Sequence, residues 1–204
     1  MKNVKNYCRD FQRKPPKDLL NKYNSLQKRN LDYKLMYKEL FPCFFTGNIN
    51  KKNSYLTISL NPKLDNQTRK DQRGDFNAWF DFCLNRFENY ETESAVHFIF
   101  KNLLKLFFTD QEIKRSCKRK LLQENLINID WCPYYSKKFV TTGKLFFEKN
   151  GIIELYEIFN KNLNEFIKFT KPRCIFIHGK SFDELANEIM PNVITKIELN
   201  HGDR

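Results

Sequence analysis

Four short apolar runs, rich in β-branched and aromatic residues, are spaced along the chain, and each ends in polar residues. They occupy residues 55–60, 126–131, 174–177 and 193–199, and their length and composition predict strands. Elsewhere apolar residues recur at spacings of three and four, which predicts helices over residues 17–40, 76–90, 97–108, 112–124, 152–169 and 181–190. Strands that alternate with helices favour an α/β fold with three layers, α/β/α, around a central four-stranded parallel sheet.

The chain has the size and apolar content of one domain. Of its 204 residues, 41% are hydrophobic and 20 are phenylalanine, which is enough for a single packed core. Residues 1–16 are mostly polar and end in Pro15-Pro16, so we expect an irregular N-terminal arm. No apolar stretch reaches the length of a membrane span, and the first residues lack the apolar centre of a signal peptide. We therefore expect a cytoplasmic protein without a membrane segment.

The six cysteines are scattered singly, without the close pairs that hold structural zinc or iron–sulfur clusters. The lack of a signal peptide favours reduced thiols, and several of them lie in apolar runs as small core residues. The chain also lacks the glycine patterns of dinucleotide, triphosphate and serine-hydrolase sites. Gly179-Lys180-Ser181 resembles the end of a phosphate loop, but the first glycine of that loop is missing. We therefore predict no metal and no cofactor.

The formal net charge of +12 indicates a polyanionic partner, and above all nucleic acid. Abundant Lys, Asn, Phe and Ile are also typical of proteins from AT-rich genomes, so composition explains part of this charge. The densest basic cluster lies in the predicted helix 112–124. Residues four apart on a helix lie one above another, so this helix has one basic face. That face is either a DNA-backbone contact or a solvated surface, and its members are Lys114, Arg115, Lys118 and Arg119.

Each predicted strand is followed by polar residues. The first ends at Asn61-Pro62, the second at Asp130, the third at His178 and the fourth at Asn200-His201. In an open parallel sheet the carboxyl ends of the strands share one edge, where ligands bind. We therefore predict one cleft, lined by Asn61, Asp65, Asp130–Ser136, His178–Ser181 and Asn200–Arg204. The predicted substrate-binding residues are Ser59, Leu60, Pro62, Tyr134, Tyr135, Ser136, His178, Gly179 and Lys180.

The order of these strand ends resembles the uracil-DNA glycosylase superfamily. The stretches that carry the resemblance are FPCFFTGN with YLTISLNP, then INIDWCPYYS, IFIHGKS and IELNHGDR, and they span roughly residues 41–204. In that superfamily the first strand ends in a short motif whose last polar residue precedes a proline. In the mismatch-specific branch this residue is Asn, as at Asn61 here. The resemblance implies a DNA glycosylase of base-excision repair, which hydrolyses the N-glycosidic bond of a damaged or modified base flipped out of DNA.

The resemblance also implies catalytic roles for the strand-end residues. Asn61 positions a water beneath the sugar C1′. Asp65 or Asp130 stabilises the cationic sugar or accepts the proton, and His201 donates to the departing base. Since no lysine is clearly placed as a Schiff-base nucleophile, we expect a monofunctional enzyme.

The other cleft residues are expected to bind the substrate. A flipped base stacks on Tyr134 or Tyr135, although ordinary packing after Pro133 accounts for both tyrosines equally well. Lys63 and the basic helix face contact the DNA backbone. The substrate is single- or double-stranded DNA, and we expect the protein to be a monomer.

Two features depart from the superfamily's pattern. Lys63 stands where many members have Gly or Tyr, and the last motif reads His201-Gly202-Asp203 where His-Pro-Ser or Asn-Pro-Ser is usual. The sequence ends one residue later, at Arg204. These departures leave two alternatives open: a non-catalytic nucleic-acid-binding module on the same fold, or a nucleoside hydrolase or transferase.

Overall fold

The structure, a computed structural model, describes residues 4–38, 40–49, 55–64, 75–85, 109, 111, 124–138, 140 and 143–177. Within these residues the chain forms five α-helices and one four-stranded mixed sheet. The helices are α1 (Val4–Arg13), α2 (Lys17–Leu26), α3 (Phe76–Asn85), α4 (Lys144–Lys149) and α5 (Ile153–Thr170). The strands are β1 (Phe45–Thr46), β2 (Tyr55–Ser59), β3 (Leu126–Asp130) and β4 (Cys174–Ile177), and a short 3-10 helix (Leu31–Tyr33) follows α2.

The strands lie side by side in the order β1-β3-β2-β4. β2 is at the centre of three parallel strands, with Tyr55 opposite Leu126 of β3 and opposite Cys174 of β4. These three strands lie where the sequence predicts them, so the mixed α/β class is confirmed. The predicted strand at residues 193–199 lies outside the described residues.

The fourth strand of the described sheet is β1, and it makes the prediction of an all-parallel sheet wrong. β1 is antiparallel to β3, with Phe45 opposite Ile129 and Thr46 opposite Asn128. It is two residues long and is followed by Gly47, whose φ of 109° favours glycine. Two residues give no readable alternation, so the sequence predicts only a turn there. An antiparallel edge strand needs no crossover helix, which is why otherwise parallel sheets often carry one.

The N-terminal residues form α1, not the irregular arm expected for residues 1–16. In α1, Val4, Tyr7, Cys8 and Phe11 recur at helical spacing on one side. Cys8 is buried, and the rings of Phe11 and Phe44 meet edge-on with 4.7 Å between their centroids. Packing of this side against the core stabilises a helix that its polar composition alone does not predict.

The helices α4 and α5 pack against the apolar side of the sheet and its edge. Phe45 of β1 stacks on Phe166 of α5 at 5.8 Å between centroids. Trp131, directly after β3, meets Phe147 of α4 at 5.9 Å and Phe159 of α5 at 5.1 Å, both edge-on. α5 confirms the helix predicted at residues 152–169, whereas the six-residue α4 is not predicted. The aliphatic residues of this side of the sheet are Leu56, Ile58, Ile127, Ile129, Ile175 and Ile177.

Four of the described cysteines are buried, and we expect their thiols to be unreactive in the folded protein. Burial raises the pKa of the Cys8 and Cys132 thiols, so the reactive thiolate is scarce near neutral pH. Cys174 is partly exposed and should be alkylated before these four when native protein is pulsed with iodoacetamide and its peptides are analysed by mass spectrometry. Unfolding in guanidinium should equalise the rates, and native Cys132 reacting as fast as Cys174 would contradict this expectation. The buried four are Cys8, Cys43, Cys83 and Cys132.

Candidate functional site

The three parallel strands end together at one edge of the sheet. Their last residues are Ser59, Asp130 and Ile177, and Ser59 lies opposite Asp130 in the pairing of β2 with β3. The chain passes from β2 to β3 on one side and later returns across β2 to β4 on the other. The strand order therefore reverses between β2 and β4, and this is where open α/β sheets bind their ligands.

One face of the sheet is polar near this edge. Thr57 and Ser59 alternate with apolar residues along β2, and they lie opposite Asn128 and Asp130 of β3. Parallel strands are usually apolar on both faces, because both faces are covered. The burial of four neighbouring polar side chains therefore calls for an explanation, because burying a polar group costs free energy unless it has a hydrogen-bond partner. We call Thr57, Ser59, Asn128 and Asp130 the polar cluster.

Asn128 is the hydrogen-bonding centre of the polar cluster. Its Oδ1 accepts hydrogen bonds from Thr57 Oγ1 and from Ser59 Oγ, both at 2.9 Å. Two donors on the amide oxygen fix the orientation of the whole amide group. Asn128 Nδ2 forms no hydrogen bond with another described residue, so the cluster holds an amide donor in a set orientation. Asn128 is missing from the predicted cleft, although an amide within the apolar run LINID was a signal for it.

Asp130 adds a carboxyl group at the end of β3, as the sequence predicts for its position. It is 7% exposed and lies two residues beyond Asn128, hence on the same face of the strand. Burial raises the pKa of the neighbouring Cys132 thiol, and the Asp130 carboxyl group raises it further. A parallel strand rises roughly 3.3 Å per residue, so the Cα atoms of Asn128 and Asp130 are separated by roughly 6.6 Å along β3.

Asn61 lies at the same edge, and its amide group holds two loops together. The residue is 2% exposed. Its Nδ2 donates to Ser136 Oγ at 2.8 Å and to the Tyr134 carbonyl at 3.3 Å. Its Oδ1 accepts from the Val140 N–H at 3.0 Å. Both polar atoms of the amide therefore have partners in the loop that follows β3.

The backbone joins the same two loops. Trp131 N–H donates to the Ser59 carbonyl at 2.9 Å, which continues the pairing of β2 with β3 past the end of both strands. Beyond Asn61 the pairing resumes, with Ser136 N–H donating to the Pro62 carbonyl at 3.3 Å and Leu64 N–H donating to the Ser136 carbonyl at 2.8 Å. The loops after β2 and β3 are thus an extension of the sheet, with Asn61 filling the gap between them.

Tyr134 and Tyr135, the predicted stacking residues, are both buried. The Tyr134 ring lies 5.9 Å from that of Phe11 and 6.3 Å from that of Phe159, measured between centroids. Burial raises the pKa of the Tyr134 hydroxyl, which has no hydrogen-bond partner among the described residues. Tyr134 is therefore in the packing role that the sequence left open as the alternative to base stacking.

No family model, curated protein or solved structure matches this chain. The resemblance to the uracil-DNA glycosylase superfamily therefore stays a prediction, and so do the roles that it implies. Several predicted site residues lie outside the described residues, both in the cleft and in the basic helix face. They are Asp65, His178, Gly179, Lys180, His201, Lys114, Arg115, Lys118 and Arg119.

The described part of the chain also bears on metals and membranes. Its His, Cys, Asp and Glu side chains form no group of three that is arranged to hold a metal ion. None of its helices combines the length and the apolar character that crossing a membrane requires.

Proposed function

We propose that this protein is a glycosylase-like enzyme that hydrolyses the N-glycosidic bond of a damaged or modified base in DNA. The observation that carries the proposal is the pairing of Asn128, a fixed amide donor, with Asp130, a buried carboxyl group, on one face of the sheet. Both lie on β3, and Asp130 ends that strand at the carboxyl edge of the sheet, the edge at which open α/β sheets bind ligands. The net charge of +12 supports a polyanionic substrate.

The two side chains suit the two ends of the bond that breaks. Cleavage of an N-glycosidic bond places positive charge on the sugar and negative charge on the departing base. A carboxylate at Asp130 stabilises the cationic sugar or accepts a proton from the attacking water. The Asn128 amide donates to a carbonyl oxygen of the base, where negative charge develops.

In this proposal Asn61 has a different role from the one that the sequence predicts. Its Oδ1 already accepts a hydrogen bond from Val140, and its Nδ2 donates to Ser136. We therefore assign Asn61 to holding the strand-end loops, and the carboxylate role to Asp130. His201 keeps its predicted role as donor to the base, and Asp65 remains the alternative carboxylate.

We infer the three-layer α/β/α arrangement for the whole chain. The helices α4 and α5 supply one layer on the apolar side of the sheet. Both faces of a parallel sheet need cover, and the sequence offers the helices predicted at residues 97–108, 112–124 and 181–190 for the second layer. The sequence also predicts a further parallel strand at residues 193–199, as the superfamily resemblance implies.

Base release from defined DNA tests the proposed function. Single- and double-stranded DNA carrying uracil, mismatched, oxidised or bulky modified bases is incubated with the protein, and abasic sites are detected by alkaline cleavage. We expect release of at least one of these bases without added metal or cofactor. Intact DNA across the whole panel would overturn the catalytic proposal.

The engagement of Asn61 and the burial of Tyr134 favour a second function, nucleic-acid binding without catalysis. It predicts DNA binding that weakens with salt and leaves every base in place. Free nucleosides in the same assay identify a nucleoside hydrolase, which releases base from them and has little affinity for DNA. The three outcomes are therefore separated by two measurements, base release and DNA affinity.

A further inference from the structure

Three loops lie side by side next to the polar cluster. The loop before β1 contacts the loop after β3 through an antiparallel bridge between Met36 and Tyr135. On its other side, the loop after β3 contacts the loop after β2 through a parallel bridge between Lys63 and Ser136. These bridges give the three loops a common backbone framework at the carboxyl edge of the sheet.

This framework carries a group of exposed lysines. Lys63 stands at the bridge itself, and Lys137 and Lys138 follow Ser136 directly, with 65% and 55% of their side chains exposed. Lys38, two residues beyond Met36, is also exposed. We call Lys38, Lys63, Lys137 and Lys138 the strand-end ridge.

One carboxylate neutralises part of the strand-end ridge. An oxygen of Asp32 lies 3.7 Å from Lys137 Nζ, and the other lies 3.5 Å from Lys138 Nζ. The Asp32 side chain is 36% exposed, and ion pairs exposed to this extent contribute little free energy. A phosphate group can therefore take the place of Asp32 on these lysines at small cost.

Aromatic rings lie under the ridge. Lys138 Nζ is 6.0 Å from the centroid of the Tyr33 ring, and Lys38 Nζ is 5.7 Å from that of Tyr37. Both tyrosines are partly exposed. Exposed lysines interleaved with aromatic rings are the combination with which proteins bind a nucleic-acid strand, because cations contact phosphates and rings contact bases.

We propose that the strand-end ridge binds the phosphate backbone of the nucleic-acid strand whose base enters the polar cluster. The inference rests on the proposed function for the identity of the ligand. The strand-end loops connect the two sites: Ser136, which precedes Lys137, pairs with Lys63 and accepts a hydrogen bond from Asn61, and Asn61 lies two residues beyond Ser59 of the polar cluster. The ridge shares Lys63 with the backbone contacts predicted from the sequence, and it shares no residue with the predicted basic helix face.

Charge removal from the ridge tests this proposal through the salt dependence of binding. Binding of a fluorescein-labelled DNA strand is measured by anisotropy at several salt concentrations. Each phosphate contact on single-stranded DNA contributes roughly 0.7 to the slope of log K against log salt. The variant Lys63→Gln/Lys137→Gln/Lys138→Gln removes three such contacts. We expect its slope to be smaller than that of the wild-type protein by about 2.

A matched control removes the same charge from the opposite end of the sheet. Three exposed lysines lie between the middle of α5 and the turn that leads to the start of β4. Their replacement should leave the slope close to that of the wild-type protein. The control variant is Lys161→Gln/Lys168→Gln/Lys171→Gln. An equal fall of the slope in the ridge and control variants would overturn the proposal, and so would a wild-type protein that does not bind DNA.

A gain of binding cannot arise from misfolding, so Asp32→Asn provides an independent test. This change frees Lys137 and Lys138, and it keeps the backbone carbonyl that accepts from Lys138 N–H at 3.0 Å. We expect tighter DNA binding than for Glu165→Gln, which makes the same charge change on an exposed residue of α5. Equal affinities for these two variants would count against the ridge.

Failure of the ridge and failure of the proposed function give different results. Wild-type protein that binds through the ridge but releases no base contradicts catalysis alone. Ridge variants that bind DNA with the wild-type slope, while base is still released, contradict the ridge alone. The anisotropy and base-release measurements are made on the same protein and DNA samples.

Discussion

Replacement of Asn61 by alanine should lower the free energy of unfolding by about 2–4 kcal/mol. The variant removes the acceptor for Val140 N–H and the donor to Ser136 Oγ and the Tyr134 carbonyl. These groups lie in a buried part of the protein, and a buried polar group left without a partner costs roughly 1–3 kcal/mol. Urea denaturation followed by circular dichroism measures the change.

The control for Asn61→Ala is Asn85→Ala at the exposed end of α3. It should alter stability by no more than about 0.5 kcal/mol, as is usual for surface substitutions. A double-mutant cycle of Asn61→Ala with Ser136→Ala should show a coupling energy of about 1 kcal/mol, because each side chain is the other's partner. An Asn61→Ala variant as stable as the wild-type protein would refute the loop-holding role.

This stability loss distinguishes a residue that holds loops from one that only orients a water. A side chain whose polar atoms face a substrate site leaves few protein partners behind when it is removed. Asn61 has protein partners for both amide atoms. Asn61→Ala should therefore reduce base release mainly by loosening the strand-end loops. As urea is added, the base release that remains should decrease in parallel with the fraction of folded protein.

The strands β2, β3 and β4 could be predicted because each is an apolar run that ends in polar residues. The helix α5 could be predicted because its apolar stripe continues over its whole length of 18 residues. β1 and α4 are too short for a period to be recognised. α1 could not be predicted because charged residues dominate its composition, although Tyr7, Cys8 and Phe11 have the spacing of a buried helix face.

At the site, the sequence identifies the edge of the sheet but cannot identify the partner of each side chain. Ser136 and Val140 lie 75 and 79 residues beyond Asn61. A local sequence pattern cannot predict hydrogen bonds between residues so far apart in the chain. An amide at the end of a strand looks the same in the sequence whether it faces a ligand or a neighbouring loop. For Asn128 a local signal does exist. It is a polar residue inside an apolar strand, and such a residue indicates a buried hydrogen-bonded cluster.

Replacement of Asp130 by asparagine should reduce base release by a factor on the order of 10²–10⁴. Asparagine has nearly the same shape and keeps an acceptor oxygen, but it can neither balance a cationic sugar nor accept a proton. Single-turnover release of the base found in the DNA panel measures the effect. Asp81→Asn, which makes the same change on the exposed surface of α3, should retain wild-type activity.

Asp130→Asn should also bind DNA as the wild-type protein does, because the strand-end ridge is unchanged. Its unfolding free energy should change less than that of Asn61→Ala, since asparagine keeps nearly the shape of the side chain and one acceptor oxygen. Asn128→Leu should lower both stability and base release, because the Ser59 hydroxyl loses its acceptor and the base loses its donor. The Thr57 hydroxyl keeps only the Ile127 carbonyl, at 3.4 Å. If Asp130→Asn releases base within a few-fold of the wild-type rate, the carboxylate does not take part in catalysis, and Asp65 becomes the residue to replace.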